Sequence, residues 1–336
     1  MIIIVDCGTT NMRCRLLDGE TFVDAERTVC GCRDRAFTGS SDILEETLSG
    51  LIRTLLERNS LTEKDVEIIL STGTLASDVG IHPIPHALCP AGITESARAS
   101  SLAVKERVSG IPILFIPGVK TLPDGDAPLE ESILAYESMS GEECEIYGIA
   151  SALPLPDEFV ITLPGSYNKV MEIRDGKIQS IRTGLCGELI AAISEHTLLK
   201  SALPSPVIRT LCPEMLRLGY RMAQKYGSSP MLVKARTLQL FGGYTQDEAA
   251  CFFVGALLHG DIASVAQVAK KPEWAGKPVV IGGSDPLRTV FALLLEEAGV
   301  TGLVTVPDGV ATSATSRGAM KVYKEWQRLN ATADRK

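Results

Sequence analysis

The chain opens Met1-Ile2-Ile3-Ile4-Val5-Asp6-Cys7-Gly8-Thr9-Thr10-Asn11-Met12-Arg13, and the reading of this stretch decides the fold. Ile2 to Val5 is an apolar run of strand length, far too short to cross a bilayer and without the basic flank of a secretory signal. It reads as a buried strand that ends on an aspartate. The turn that follows offers the amides and hydroxyls of Gly8, Thr9, Thr10 and Asn11, which can converge on phosphate oxygens, and Gly8 admits close backbone approach. Asp6 beside such donors suits a hydrated Mg²⁺ that neutralises the phosphates of ATP. Arg13 could add a bidentate contact to a phosphate or to a substrate carboxylate. The bland reading of the same residues is an Asx-type turn in a hairpin, with Arg13 solvated.

Working outward, a strand around Met12–Leu17, an Asp18-Gly19 turn and a strand toward Val29 complete a β-meander. The second half restarts the same way. A strand at Phe159–Leu163 leads into Pro164-Gly165-Ser166-Tyr167-Asn168-Lys169, then a strand to Ile173, an Asp175-Gly176 turn and a strand Lys177–Thr183. In both halves a Gly-[Ser/Thr]-x-Asn turn precedes an Asp-Gly pair by the same interval, Gly8 to Asp18 and Gly165 to Asp175. This is a duplication signal. Gly165, Ser166, Asn168 and Lys169 would then face the first turn across an interdomain cleft as the other half of a phosphate clamp. A strand–turn–helix at Gly282-Gly283-Ser284 is a further nucleotide contact of the kind helix N-termini provide.

The rest of the pattern alternates strands and helices. A helix is expected at Ile43–Arg58, with Leu44, Leu48, Leu51, Leu55 and Leu56 on one face, and strands at Glu67–Leu70 and Ile113–Ile116. Helices are expected at Glu188–Thr197, Pro213–Tyr226 and Val233–Phe241. A long one over Thr245–Val268 would be capped by Thr245 and Glu248, and a terminal one runs from Ala311 to Arg328. With 336 residues, two α/β domains are expected, drawn at 1–140 and at 141–336, the latter helix-rich, with the hinge in Ser138–Pro156.

A net charge of −8 leaves no basic face to displace counterions from nucleic acid, and no stretch has the length and apolarity of a membrane span. The nine cysteines are scattered rather than paired in metal-binding spacing, as in a reducing, cytoplasmic setting. His82, His86 and Cys89 do not make a zinc set, because Pro83 and Pro85 forbid the helix that would align the histidines. The sequence contains no Gly-x-Gly-x-x-Gly after a strand, no P-loop and no nucleophile elbow. A homo-oligomer is left open.

The pattern Asp6-x-Gly-Thr-Thr-Asn-x-Arg13 resembles the first phosphate motif of the acetate/sugar kinase, Hsp70 and actin superfamily. Within it the chain resembles the 2-dehydro-3-deoxygalactonokinases (2-keto-3-deoxygalactonate kinases). The likeness runs through Gly73–Gly80, Ile116-Pro117-Gly118, Leu163–Lys169, Thr183–Glu188, and Ala235–Leu238 with Leu240-Phe241-Gly242. It implies a two-domain actin-like ATPase (ribonuclease H-like) fold and transfer of the ATP γ-phosphoryl group, with Mg²⁺, to the terminal hydroxyl of a 2-keto-3-deoxy aldonate. It also implies that Ser77, Asp78 and Arg236 hold the sugar acid, although Ser77 and Asp78 could equally cap a helix and Arg236 could equally form a surface ion pair. The family follows its first Pro-Gly with Arg-Gly-Glu-Glu opening a helix. We match Ala127-Pro128-Leu129-Glu130-Glu131 to that segment, which makes Glu130 or Glu131 the expected general base, with Asp124, Asp126 or Glu188 next in line. The missing arginine and glycine keep a second reading in view, a non-catalytic descendant that binds a nucleotide or sugar acid as a sensor, and a third, a kinase for another polyhydroxy acid.

Overall fold

A computed structural model describes residues 1–123, 125 and 127–333 of the chain; Asp124 and Asp126 lie outside the described residues. Its strands are β1 Ile2–Cys7, β2 Met12–Asp18, β3 Thr21–Thr28, β4 Ile68–Gly73, β5 Ala87–Leu88, β6 Ser101–Lys105, β7 Ser109–Phe115, β8 Val119–Thr121, β9 Glu137–Met139, β10 Glu158–Pro164, β11 Asn168–Arg174, β12 Lys177–Gly184, β13 Val279–Ile281 and β14 Leu303–Thr305. The chain divides into two compact units. One comprises residues 1–157, 173–181 and 308–336, and the other residues 158–172 and 182–307.

In the first unit a six-stranded sheet runs β3-β2-β1-β4-β7-β6. The opening apolar run is its centre. β1 pairs antiparallel with β2 and parallel with β4, and Ile3, Val5 and Cys7 are fully buried, with Ile2 and Ile4 nearly so. Burial on both faces is why the run is continuous rather than alternating. The helix Asp42–Arg58 covers one face with Leu44, Leu48, Ile52 and Leu55, as its spacing demands, in one core with Ile3 and Val5. Helices Glu142–Ala152 and Asp308–Ala333 pack on each other backbone to backbone. A Cβ on Gly148 would stand 1.9 Å from the Ala314 carbonyl oxygen, and one on Gly318 1.8 Å from that of Cys144. The terminal helix therefore packs into the first unit, whereas the sequence reading grouped it with 141–336.

A small sheet, β5-β8-β9, also belongs to the first unit. Its register sets Ala87 beside Val119 and Met139, and Leu88 beside Lys120 and Ser138.

The other large sheet has the order β12-β11-β10-β13-β14, and β13 pairs parallel with β10 and β14. The tip of its β11–β12 hairpin, residues 173–181, is grouped with the first unit. Asp175 and Gly176 both have positive φ, 52° and 69°, the conformation that an Asp-Gly pair favours in a two-residue hairpin. Each large sheet thus contains a meander whose first strand is extended by two parallel strands, β4 and β7 in one case and β13 and β14 in the other, and the first sheet adds β6 antiparallel to β7 at its edge. The duplicated turns join the same pair of strands in each.

Helices Pro213–Tyr226 and Gln246–Leu257 of the second unit also cross at glycine, since a Cβ on Gly255 would lie 1.9 Å from the Leu216 carbonyl oxygen. The single helix expected over Thr245–Val268 is two, Gln246–Leu257 and His259–Ala269, bent by 47°. The predicted capping box does form, with the Thr245 N–H donating to Glu248 Oε2 at 2.8 Å. Among the described residues no single helix is long and apolar enough to cross a membrane. This bent pair would pass on length and composition together, and Ala249 to Val254 and Ile262 sit in the core of the unit.

Candidate active site

The first turn is built by β1 and β2, whose register sets Asp6 opposite Arg13 and Cys7 opposite Met12. The Gly8 N–H donates to the Asn11 carbonyl at 2.9 Å, closing the turn, and Asn11 Nδ2 donates to Thr10 Oγ1. The backbone of Cys32 and Arg33 donates to the carbonyls of Gly8 and Thr9. Gly31 lies so close that a Cβ there would come within 2.5 Å of both of those oxygens. The turn is thereby held rigidly from the next helix. Burial raises the pKa of Asp6, and Arg13 and Arg15 pull it back. The Cys7 thiol beneath the turn is pushed up to about 12 by burial, so it is a packed thiol and not a nucleophile.

Two acidic residues that the sequence reading passed over open the helix Glu142–Ala152, and one of them, Glu143, feels the charge of Asp6. Gly141 has φ 111°, and a Cβ there would meet the Gly73 Cα at 3.1 Å and Asp6 Oδ1 at 3.9 Å. This glycine starts the helix Glu142–Ala152 against the Asp6 strand end. Glu143 is completely buried; both its carboxylate oxygens accept from the Gly141 N–H, at 3.0 and 2.8 Å. Burial pushes its pKa up to about 8, and the charges of Glu142 and Asp6 add to the shift. Glu142 is half-buried and accepts from the Ser140 N–H at 3.1 Å. Ser140-Gly141-Glu142-Glu143 opens a helix with Glu143 buried at its start. The stretch we matched to the Arg-Gly-Glu-Glu segment carries Glu130 and Glu131 exposed on the four-residue helix Leu129–Ser132. The readable signal for the buried glutamate is Gly-Glu-Glu before an apolar helix.

Ser77 is buried, and its hydroxyl donates to the Thr74 carbonyl at 2.7 Å, closing a turn. Asp78 is exposed, and its charge reaches His86.

In the second unit the turn after β10 is stapled from below. The backbone N–H groups of Gly187 and Glu188 donate to the carbonyls of Gly165 and Ser166, at 3.1 and 2.9 Å. Asn168 is buried; its Oδ1 accepts from Thr162 Oγ1 at 2.7 Å, and its amide hydrogen-bonds the Asp261 carboxylate. Lys169 Nζ donates to Thr183 Oγ1 at 2.9 Å. Asp261 Oδ1 lies where a Cβ on Gly184 would be, 2.0 Å away, and is buried without a hydrogen-bond partner. Burial raises the Asp261 pKa to about 6 against the pull of Asn168. A lone aspartate in an apolar helix gave no sequence signal for this role. Gly282 and Gly283 join the same turn: the Gly282 N–H donates to the Thr162 carbonyl, and a Cβ on Gly283 would meet the Pro164 carbonyl oxygen at 2.5 Å. The Ser284 carbonyl accepts from the Arg288 N–H, starting the next helix. Arg236 donates to Ser201 Oγ and the Leu198 carbonyl, within its own unit.

Two meanders, each with its first strand extended by two parallel strands and each carrying a glycine–hydroxyl turn after that strand, define an actin-like ATPase fold. The solved structures agree. A Sinorhizobium meliloti protein described as a 2-dehydro-3-deoxygalactonokinase superposes with a TM-score of 0.73 at 21% identity, covering 96% of this chain and 98% of that one. The activator of 2-hydroxyisocaproyl-CoA dehydratase from Clostridium difficile, solved with bound ADPNP, gives 0.50 at 12% identity over 98% and 97%. The chain belongs to the 2-keto-3-deoxy-galactonokinase family, whose model matches residues 6–322. It is 22% identical over 264 residues to the 2-dehydro-3-deoxygalactonokinase of Escherichia coli K12, covering 78% of this chain and 80% of that one. It is 23% identical over 323 residues to a Rhizobium meliloti protein named for the same activity, covering 95% and 96%. The family is one of kinases, phosphotransferases with an alcohol acceptor.

Proposed function

We propose that the protein transfers the γ-phosphoryl group of ATP to the terminal hydroxyl of a 2-keto-3-deoxy aldonate of the 2-dehydro-3-deoxygalactonate type. The observation that carries this beyond family membership is that the Asp6 strand end brings together the Gly8–Asn11 turn and the helix start at Gly141 whose buried Glu143 feels the charge of Asp6. Phosphoryl transfer needs positioning and charge stabilisation more than covalent help from the protein, and these groups can supply both. The donors there fit Mg²⁺: they are hard carboxylate oxygens, among the described residues no three such groups come together into an all-protein cage, and Mg²⁺ is usually held by one or two carboxylates together with substrate phosphates and water. Asp6, with Glu143 behind it, would hold that ion, which when bound neutralises charge on the phosphates. The amides of Gly8 to Asn11 and the side chain of Arg13 bind phosphate oxygens. In the second unit Gly165, Ser166, Asn168 and Lys169 bind phosphate, Gly282 to Ser284 lie near the nucleotide, and Arg236 and Asp78 are candidates for the sugar acid. A carboxylate of the Glu142–Glu143 pair takes the proton of the acceptor hydroxyl. Nine free cysteines and ATP as donor suit a cytoplasmic enzyme.

The test is a coupled ADP-release assay over a panel of 2-keto-3-deoxy acids, with mass spectrometry of the product to locate the phosphate. One acid should be phosphorylated at its terminal carbon, and Asp6→Asn should lower kcat by ~10²-fold or more. ATP consumption with none of the acids refutes the proposal.

A further inference from the structure

The small sheet β5-β8-β9 has one polar face. Side chains alternate along a strand, so the register puts His86 and Leu88 of the first segment, Gly118 and Lys120 of the second, and Ser138 and Ser140 of the third on the same side. The opposite side carries the buried Ala87, Val119 and Met139. Gly118 lets the outer pair meet above it. A Cβ there would come within 2.5 Å of Ser140 Oγ and 2.7 Å of the His86 ring, and His86 Nε2 lies 3.2 Å from Ser140 Oγ. The face ends where Ser140 runs into Gly141, against Asp6.

Lys120 is half-buried on this face. Among the described residues its ammonium has no ion-pair or hydrogen-bond partner, although the protein forms many such pairs at its surface. An ammonium left unpaired on a polar face is free to form a charge-assisted hydrogen bond with a bound anion. Burial, and then Lys120, lower the pKa of His86 against the pull of Asp78. Both effects favour the neutral imidazole, which donates to or accepts from a hydroxyl as its tautomer allows.

We propose that this face binds the acceptor, with Lys120 pairing with the substrate carboxylate and His86 and Ser140 hydrogen-bonding its hydroxyls. The chain of the substrate then runs along the strand direction toward Asp6. Two residues of strand, ~7 Å, separate Lys120 from Gly118, a spacing that suits a short polyhydroxy chain with its carboxylate at one end and the reacting hydroxyl at the other. The inference rests on the sugar-acid kinase reading and deepens it, because it names the cation that makes the acceptor an acid and not a neutral sugar.

The experiment compares 2-dehydro-3-deoxygalactonate with its neutral carboxamide in turnover and in calorimetric binding without ATP, for the wild type, Lys120→Met, Lys120→Gln and Lys120→Arg. The wild type should prefer the acid. Lys120→Met and Lys120→Gln should raise KM and Kd for the acid ~10- to 100-fold, the cost of one charge-assisted contact. The carboxamide and the KM for ATP should change less than ~2-fold, and Lys120→Arg should recover part of the preference. An acid-to-carboxamide ratio unchanged in both Lys120→Met and Lys120→Gln overturns the inference while leaving the kinase reading in place. A wild type that neither binds nor phosphorylates the acid overturns both.

Discussion

Glu143→Gln gives the most direct reading of the buried acidic pair. In the metal-free protein the Glu143 pKa lies at about 8 against an ordinary 4.5, chiefly because burial strips water from the carboxylate. The native state therefore holds a proton that the unfolded chain has released throughout that interval. Stability rises with pH only where the unfolded state binds more protons, so here it falls as pH rises from 4.5 toward 8. At ~1.4 kcal/mol per pH unit the full cost is on the order of 5 kcal/mol, of which about half develops between about pH 5 and about pH 7. Glutamine keeps the shape and an oxygen for the Gly141 N–H, but it cannot ionise. Urea denaturation in EDTA across this range, read by fluorescence from Trp326 on the terminal helix of the same unit, should show the wild type losing stability relative to Glu143→Gln by that amount. Mg²⁺ with a non-hydrolysable ATP analogue should flatten the wild-type curve, since a nearby cation removes the penalty on the ionised form. Wild-type and Glu143→Gln curves that stay parallel from about pH 5 to about pH 7 would show that Glu143 is not held protonated, and the reasoning from its burial would fall.

Three further outcomes are expected. Gly318→Ala places a methyl 1.8 Å from the Cys144 carbonyl oxygen and should destabilise the first unit by about 3 kcal/mol through overpacking. Gly309→Ala in the same helix, where nothing lies within 4 Å, should be neutral or stabilising in the same melts. Asp261, with a folded pKa raised to about 6, makes stability fall as pH rises from about 4 to about 6; Asp261→Asn should remove that slope while raising the KM for ATP, because the Asn168 contact changes. Lys169→Met should weaken ATP binding ~10-fold or more in equilibrium titration, with little change in stability.

Much of the architecture was legible because its signals are local. The run Ile2–Val5 could only be a strand buried on both faces, and the matched Gly-to-Asp intervals exposed a duplication that the two sheets repeat in their strand order. The leucine spacing of Asp42–Arg58 and the Thr245–Glu248 box likewise stand as read. The helix break at Leu258 was not legible, because no proline marks it, Gly255 and Gly260 lie to either side of it, and the apolar period runs on across it. Nor was the burial of Glu143. Two Glu-Glu pairs, Glu130-Glu131 and Glu142-Glu143, lie close in sequence, and only their surroundings tell them apart: one is exposed on a short helix, while in the other Glu143 is buried and bonded to the Gly141 N–H.

By itself, then, the sequence determined the kind of fold, its duplication and the two glycine turns, since strand period, turn chemistry and chain order are all written in neighbouring residues. The tertiary structure decided which charges are costly. Desolvation and the approach of groups far apart in the chain set the state of Asp6 and Glu143 and of Asp261 against Gly184, and no window of sequence contains those distances.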